Sequence, residues 1–186
     1  MPDIFFGGNK LLDAKHILKK IPLEQDMIVA DLGCGGAAHF ALPAARMVGD
    51  EGMVFAVDIL KFVLDSVQSR AKMEGLANIK TIWADLELFG STYIKNLSVD
   101  AVLLVNILFQ SKKHLNIFKE AVRILKPGGK LLIVDWKAIK IPFGPPPEIR
   151  IKKEEVKAVA HGLGMEKIDE FSAGKYHFGL IFQKQL

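Results

Sequence analysis

The chain contains a single cysteine, Cys34, among its 186 residues. One thiol excludes an internal disulfide and any metal site built from several cysteines, and it is typical of a reducing cytoplasm. Long apolar runs are also missing: the longest, residues 101–109, is interrupted by Asn106 and is too short to span a bilayer. The first nine residues carry Asp3 and lack the basic-then-apolar pattern of a secretory signal. We therefore expect a cytoplasmic protein with no membrane partner.

A strong excess of either charge is absent as well. The 25 basic and 21 acidic residues give a net charge of +4 that is spread along the chain, which is no nucleic-acid signature by itself. Internal repeats and low-complexity segments are lacking, and a chain of this length can bury a core without disulfides. We predict one domain over residues 1–186, with an N-terminal arm and helix over 1–21 and a core over 22–186. The oligomeric state stays open.

Short apolar runs alternate with helical patterns along the chain. Strands are predicted over 27–31, 53–58, 79–83, 99–105, 130–136, 165–171 and 176–182, and helices over 10–21, 37–48, 60–74, 114–125 and 152–161, with room for a short helix within 84–97. Runs that are apolar throughout suit strands buried on both faces of a parallel sheet. The last two strands are joined by a tight turn and must be antiparallel. These patterns predict a doubly wound, Rossmann-like α/β fold: a seven-stranded, mostly parallel sheet, the last strand antiparallel, with helices on both faces.

The loops at the carboxyl ends of the parallel strands are where an open α/β sheet binds its ligands. One of them is a glycine turn that follows the first predicted strand: Asp31-Leu32-Gly33-Cys34-Gly35-Gly36. With Ala38 and with Asp58 about 20 residues on, the turn fits a dinucleotide fingerprint. An acid two residues before the glycines would repel a pyrophosphate, however, and would favour a ligand that carries an amino group. As a D-x-G-x-G pattern, Asp31, Gly33 and Gly35 resemble motif I of the class I methyltransferases that use S-adenosylmethionine (SAM), which carries an α-amino group and no phosphate. Asp31 therefore favours SAM over a dinucleotide.

Three further motifs agree with this interpretation. Asp58 ends the second strand, where a carboxylate can accept both ribose hydroxyls, and Asp85 follows the third strand, where an adenine edge would lie. The segment Leu125-Lys126-Pro127-Gly128-Gly129 joins a helix to a strand. Together with the D-x-G-x-G turn, these motifs resemble the class I SAM-dependent methyltransferases, most closely those of ubiquinone and menaquinone biosynthesis, over roughly residues 25–136.

The resemblance implies a set of cofactor contacts and no metal, with S-adenosylhomocysteine as the product. The implied contacts are Asp31, Gly33, Cys34, Gly35, Gly36, Asp58, Ile59, Asp85, Leu86 and Asn106. The chain departs from the family where Ala37 replaces the third glycine, and it lacks the N-P-P-aromatic motif of amino-nitrogen methyltransferases after the fourth strand.

The acceptor side is less defined by the sequence. His39, Tyr176 and His177 are candidates to orient or deprotonate an acceptor, and each also fits a packed or surface position. Phe5 and Phe6 could close over the cofactor or pack on the sheet. A basic stretch near the proline cluster of residues 142–147 could receive an anion or RNA, or could be a solvated helix start; its members are Lys137, Lys140, Arg150, Lys152 and Lys153.

Four functions therefore compete at this point. A methyltransferase acting on a small molecule ranks first. An RNA or protein methyltransferase and a non-catalytic SAM-binding protein follow, and a nicotinamide oxidoreductase is a distant fourth.

Overall fold

The computed structural model describes residues 11–185, in which seven strands alternate with five helices. The strands are β1 (Ile28–Leu32), β2 (Met53–Asp58), β3 (Ile79–Trp83), β4 (Val99–Val105), β5 (Leu125–Trp136), β6 (Met165–Ala173) and β7 (His177–Lys184). The helices are α1 (Ala14–Leu18), α2 (Ala41–Val48), α3 (Lys61–Met73), α4 (His114–Ile124) and α5 (Lys153–Gly162), with short 3-10 turns at Leu108–Gln110 and Pro147–Ile149. The predicted Phe5 and Phe6 positions lie outside the described residues.

All seven strands form one sheet in the order β3-β2-β1-β4-β5-β7-β6. The five strands from β3 to β5 pair in parallel, whereas β7 is antiparallel to both of its neighbours, β5 and β6. The strand order reverses between β1 and β4, and this switch point is where doubly wound sheets bind their ligands. The predicted fold class is confirmed.

Helices cover both faces of the sheet because the strands carry apolar side chains on both faces. Helices α1, α2 and α3 pack on one face with alternate strand residues such as Val29, and α4 and α5 pack on the other with residues such as Ala30. Among residues 11–185, no helix is both long and apolar enough to cross a membrane.

Two helices are shorter than predicted by four residues or more. The Asp13 side chain accepts a hydrogen bond from the His16 N–H, which caps α1 so that it spans Ala14–Leu18 instead of 10–21. Helix α2 begins at Ala41 instead of 37 because Ala38 has a left-handed backbone (φ +48°), which a helix does not contain. Residues 37–40 therefore extend the glycine turn.

The Pro127-Gly128-Gly129 turn lies inside β5 as a bulge. Val99 pairs with Leu125 and Ala101 pairs with Lys130, so residues 126–129 loop out between the two pairs. Within the segment 84–97, which had room for a short helix, the chain forms turns only.

Candidate active site

The glycine turn is tied to the neighbouring strand β2 at the carboxyl edge of the sheet. The backbone N–H groups of Gly33 and Cys34 both donate to the Val57 carbonyl, at 2.8 and 3.0 Å. Gly33 is left-handed (φ +82°), and a Cβ there would lie 2.7 Å from the Ile107 side chain. Any other residue at this position would be strained and would collide with the loop after β4.

Gly35 is the position at which the backbone of the turn faces open space. It is also left-handed (φ +65°), but a Cβ on Gly35 would meet no atom within 4 Å. The end of the turn is held from α3, where the Ser66 hydroxyl donates to the Gly36 carbonyl at 2.9 Å. The backbone at Gly35 is therefore accessible to a ligand, and the altered segment Gly36-Ala37 is anchored.

Asp58 links the turn to the start of α3. One carboxylate oxygen accepts the Gly35 N–H at 3.2 Å and the other accepts the Leu60 N–H at 3.0 Å. A carboxylate can accept about four hydrogen bonds, so each oxygen keeps capacity for a further donor. Beside it, Ile59 is exposed and its carbonyl accepts the Trp83 indole N–H at 2.7 Å.

Asp31 is the second-last residue of β1, below the turn, and is 2% exposed. Its Oδ2 atom has no hydrogen-bond partner within residues 11–185. Burial, and then the charge of Asp58, raise the pKa of Asp31 to about 7, although a backbone hydrogen bond at Ala41 opposes the shift. Burial and the same two carboxylates raise the pKa of the Cys34 thiol, which excludes a thiolate nucleophile there.

The comparisons with known proteins decide the family. A family model described as a methyltransferase domain matches residues 23–175. The chain belongs to this methyltransferase family. The predicted class I SAM-dependent methyltransferase family is thereby confirmed.

Two groups of relatives support this membership. The ubiquinone/menaquinone biosynthesis C-methyltransferase UbiE of Marinomonas sp. (strain MWYL1) is 27% identical over 139 residues, which cover 73% of this chain and 53% of that protein. A demethylmenaquinone methyltransferase of Geobacillus sp. (strain WCH70) is 26% identical over 118 residues, or 63% of this chain and 49% of the relative. The chain therefore spans about half the length of the curated relatives that it matches.

A solved structure resembles this methyltransferase domain along nearly its whole length. The SAM-dependent methyltransferase from Aquifex aeolicus superimposes with a TM-score of 0.84 at 26% identity, covering 95% of this chain and 92% of the other. SAM is accordingly the cofactor that the family and the fold imply.

The residues of this methyltransferase domain fit SAM. The orphaned Asp31 oxygen suits the cationic α-amino group, because a buried carboxylate near a second carboxylate is stabilised by a cation. The open Gly35 backbone leaves space for the cofactor, and Asp58 has free acceptor capacity for ribose hydroxyls. Within residues 11–185, no group of three or more His, Cys, Asp or Glu side chains could hold a metal ion.

The remaining predicted cofactor contacts lie at the same edge in different settings. Asp85 is half-buried, and its Oδ1 accepts the Glu87 N–H at 2.9 Å, so it organises its own turn. Leu86 is 7% exposed and packs in the core on the α4–α5 face. Asn106 follows β4 with a left-handed backbone (φ +53°), and its N–H donates to the Val134 carbonyl.

The three candidate catalytic residues are not brought together. The His39 Nε2 atom lies 2.8 Å from the Leu12 carbonyl and ties the start of α2 to the segment before α1. Tyr176 and His177 lie on the turn into β7, and this turn approaches the end of β5 because the Lys137 N–H donates to the Tyr176 carbonyl. His39 therefore has a structural partner, while Tyr176 and His177 lie beside the end of β5.

One buried acid at this edge was not recognised from the sequence. Asp135 is fully buried near the end of β5 and accepts the N–H groups of Leu108 and Trp136 at 3.1 and 2.8 Å. Burial raises its pKa to about 7. The signal was present, because Asp135 comes near the end of an apolar strand, as Asp31 and Asp58 do.

Arg150 was grouped with exposed cations, and that expectation is wrong. It is 5% exposed, and its guanidinium donates to the carbonyls of Pro145, Lys137 and Ile139 at 2.7 to 2.9 Å. Arg150 thus holds the segment after β5 against the sheet edge.

Proposed function

We propose that this chain transfers a methyl group from SAM to a small organic acceptor. The observation that carries the proposal is the buried Asp31 carboxylate, with an unpaired oxygen, below a glycine turn that is open at Gly35. Bound SAM supplies an electrophilic methyl group, and the protein supplies binding and orientation.

Different parts of the cofactor would lie over different strands at the sheet edge. Asp58 at the end of β2 would accept the ribose hydroxyls, and Ile59, Asp85 and Leu86 would surround the adenine. Asp31 would hold the α-amino group near the end of β1. Because the adenosine contacts lie over β2 and β3, the acceptor would lie on the other side, over β4, β5 and β7.

An aromatic acceptor suits that side of the edge. The rings of Trp136, Phe143, Tyr176 and His177 contact one another there, with centroids 4.2 to 6.4 Å apart. The names of the two curated relatives refer to ubiquinone/menaquinone biosynthesis and to demethylmenaquinone. We infer an aromatic ring bearing hydroxyl groups as the acceptor class.

An RNA substrate is a weaker candidate because the basic stretch is engaged within the protein. Arg150 is buried, the Lys137 ammonium donates to Ser172 and to the carbonyls of Gly174 and Lys175, and Lys153 pairs with Glu170. Few of these cations are left to neutralise phosphates.

The single domain over residues 1–186 and the cytoplasmic location remain predictions.

A parallel binding titration with SAM, S-adenosylhomocysteine and NAD tests the proposal. We expect SAM and its product to bind and NAD not to bind, because a pyrophosphate would approach Asp31 and Asp58. Binding of NAD alone would overturn the proposal. Tight SAM binding without methyl transfer to any hydroxylated aromatic compound would favour a non-catalytic SAM-binding protein.

A further inference from the structure

Three buried polar nitrogens without partners meet at the ends of β5 and β7. They are His177 Nδ1, His177 Nε2 and Trp136 Nε1, and none has a hydrogen-bond partner in the described part of the chain. His177 is 0% exposed and Trp136 is 2% exposed. Unpaired buried polar groups destabilise a fold and are rare, so a cluster of three calls for an explanation in function.

The two side chains pack ring against ring, with their planes tilted by 42°. Trp136 and His177 are paired across β5 and β7, and their ring centroids are 4.2 Å apart. Burial lowers the pKa of His177 to about 4, and the positive charges of Lys137 and Arg150 contribute to the shift. The imidazole is therefore neutral near pH 7, and a neutral imidazole can both donate and accept a hydrogen bond.

The segment between β5 and α5 covers this ring pair. A Cβ on Gly144 would lie 2.8 Å from the Trp136 ring, and Phe143 packs edge-on against the same ring. The Arg150 guanidinium lies 5.4 Å from the centre of that ring and binds three carbonyls of the segment. The cover consists of residues 138–149.

We propose that His177 is the residue that hydrogen-bonds a hydroxyl group of the methyl acceptor, with Trp136 as the stacking surface and residues 138–149 as a cover that moves away when the acceptor binds. The inference rests on the proposed function, since it assumes that the acceptor lies over β5 and β7. It assigns the unpaired nitrogens a partner that the protein itself does not contain.

The first test compares the stability of His177→Leu with that of the wild type. A leucine removes two unpaired nitrogens from a buried position, so the thermal midpoint should stay equal or rise, whereas a histidine retained for structure would cost stability when lost. The exposed His161 on α5 supplies the control variant His161→Leu. A clearly lower midpoint for His177→Leu alone would contradict the proposal.

The second test measures binding of 1-naphthol and naphthalene to the full chain saturated with S-adenosylhomocysteine. The two probes share a flat ring system and differ by one hydroxyl group. We expect 1-naphthol to bind about five- to tenfold more tightly in the wild type and in His161→Leu, which is the typical worth of one hydrogen bond. The preference should vanish in His177→Leu and partly return in His177→Gln. Equal binding of both probes, no binding of either, or a preference that persists in His177→Leu would overturn the proposal.

Two further measurements keep the test independent of folding and of the cofactor. If His177→Leu does not fold, His177→Phe keeps a planar ring without the two nitrogens and should abolish the 1-naphthol preference; an unchanged preference would contradict the proposal. The same titrations without S-adenosylhomocysteine report on His177 alone. Failure of SAM to bind refutes the proposed function, whereas SAM binding without a naphthol preference refutes only the role of His177.

Discussion

At the residue scale, three aspartates with similar sequence contexts have different surroundings. Asp31, Asp58 and Asp135 each lie at or near the end of an apolar strand. Asp58 is half-buried and bonded to two backbone N–H groups, whereas Asp31 and Asp135 are buried and their pKa values are raised to about 7. Burial in the folded chain, which the sequence context does not specify, sets this difference.

Replacing Asp58 should weaken SAM binding. Asp58→Ala removes the acceptor proposed for the ribose hydroxyls and releases the Gly35 N–H. We expect a loss of about 1–3 kcal/mol in binding free energy, the typical cost of unpaired polar groups. Isothermal titration with SAM measures it, and Asp65→Ala on the exposed side of α3 is the control. Unchanged affinity in a folded Asp58→Ala protein would mean that the ribose is held elsewhere.

The stability of the free protein should respond to pH through Asp31. Its folded-state pKa, about 7, lies above the ordinary value of 3.8. The folded state therefore retains a proton that the unfolded state loses, so this contribution is full below pH 3.8 and is lost as the pH rises through about 7. Asp31→Asn removes the titration, so its stability relative to the wild type should increase from pH 5 to pH 8.

Urea unfolding at several pH values measures this difference. Asp65→Asn, the same substitution at an exposed position of α3, serves as the matched control. A stability difference between wild type and Asp31→Asn that stays constant with pH would contradict the expectation.

At the scale of elements, the glycine turn has one open position and one supported position. A Cβ on Gly35 would point into open space from a left-handed backbone, whereas a Cβ on Gly36 would rest 3.8 Å from Ser66. Gly35→Ala should therefore weaken SAM binding more than Gly36→Ala does, because the methyl group would enter the cofactor space and the backbone would be strained by about 1–2 kcal/mol.

Titration of both variants with SAM provides the comparison, and thermal unfolding checks that each is folded. Equal affinities of the two variants would show that Gly35 does not face the cofactor.

The sequence predicted the elements well and their ends less well. All seven strands were found, because apolar runs and turn residues are local signals. The start of α2 was missed because the left-handed backbone of Ala38 is imposed by the turn, whose Gly35 carbonyl accepts the Ala38 N–H. Non-glycine residues rarely adopt this conformation, so no sequence pattern predicts it.

At the scale of the whole molecule, SAM should stabilise the fold as one unit. One sheet connects all seven strands, so we expect a single unfolding transition. At about 100 times its dissociation constant, SAM should add about 2.7 kcal/mol to the free energy of unfolding. Thermal or urea unfolding with and without SAM measures the gain, with NAD as the control. Two separate transitions, or an equal gain from NAD, would contradict this expectation.

The carboxylates proposed to hold the cofactor come from short segments that the sequence displays. The acid before the glycine turn and the acid that ends β2 follow from local order, since the carboxyl ends of parallel strands share one edge. The acceptor side was not predictable in the same way. Arg150 looked like a surface cation and is buried under carbonyls, which depends on how residues 138–149 fold back.

The alternation of strands and helices and the acidic glycine turn follow from residue type and short spacing, and they were enough to suggest the family. Which strands are neighbours depends on the folded sheet, in which β7 lies between β5 and β6. That insertion pairs Trp136 with His177, forty-one positions apart in the chain, and buries both rings. Burial and cross-strand pairing are properties of the folded sheet, so the chemistry of this pair arises only when the chain is folded.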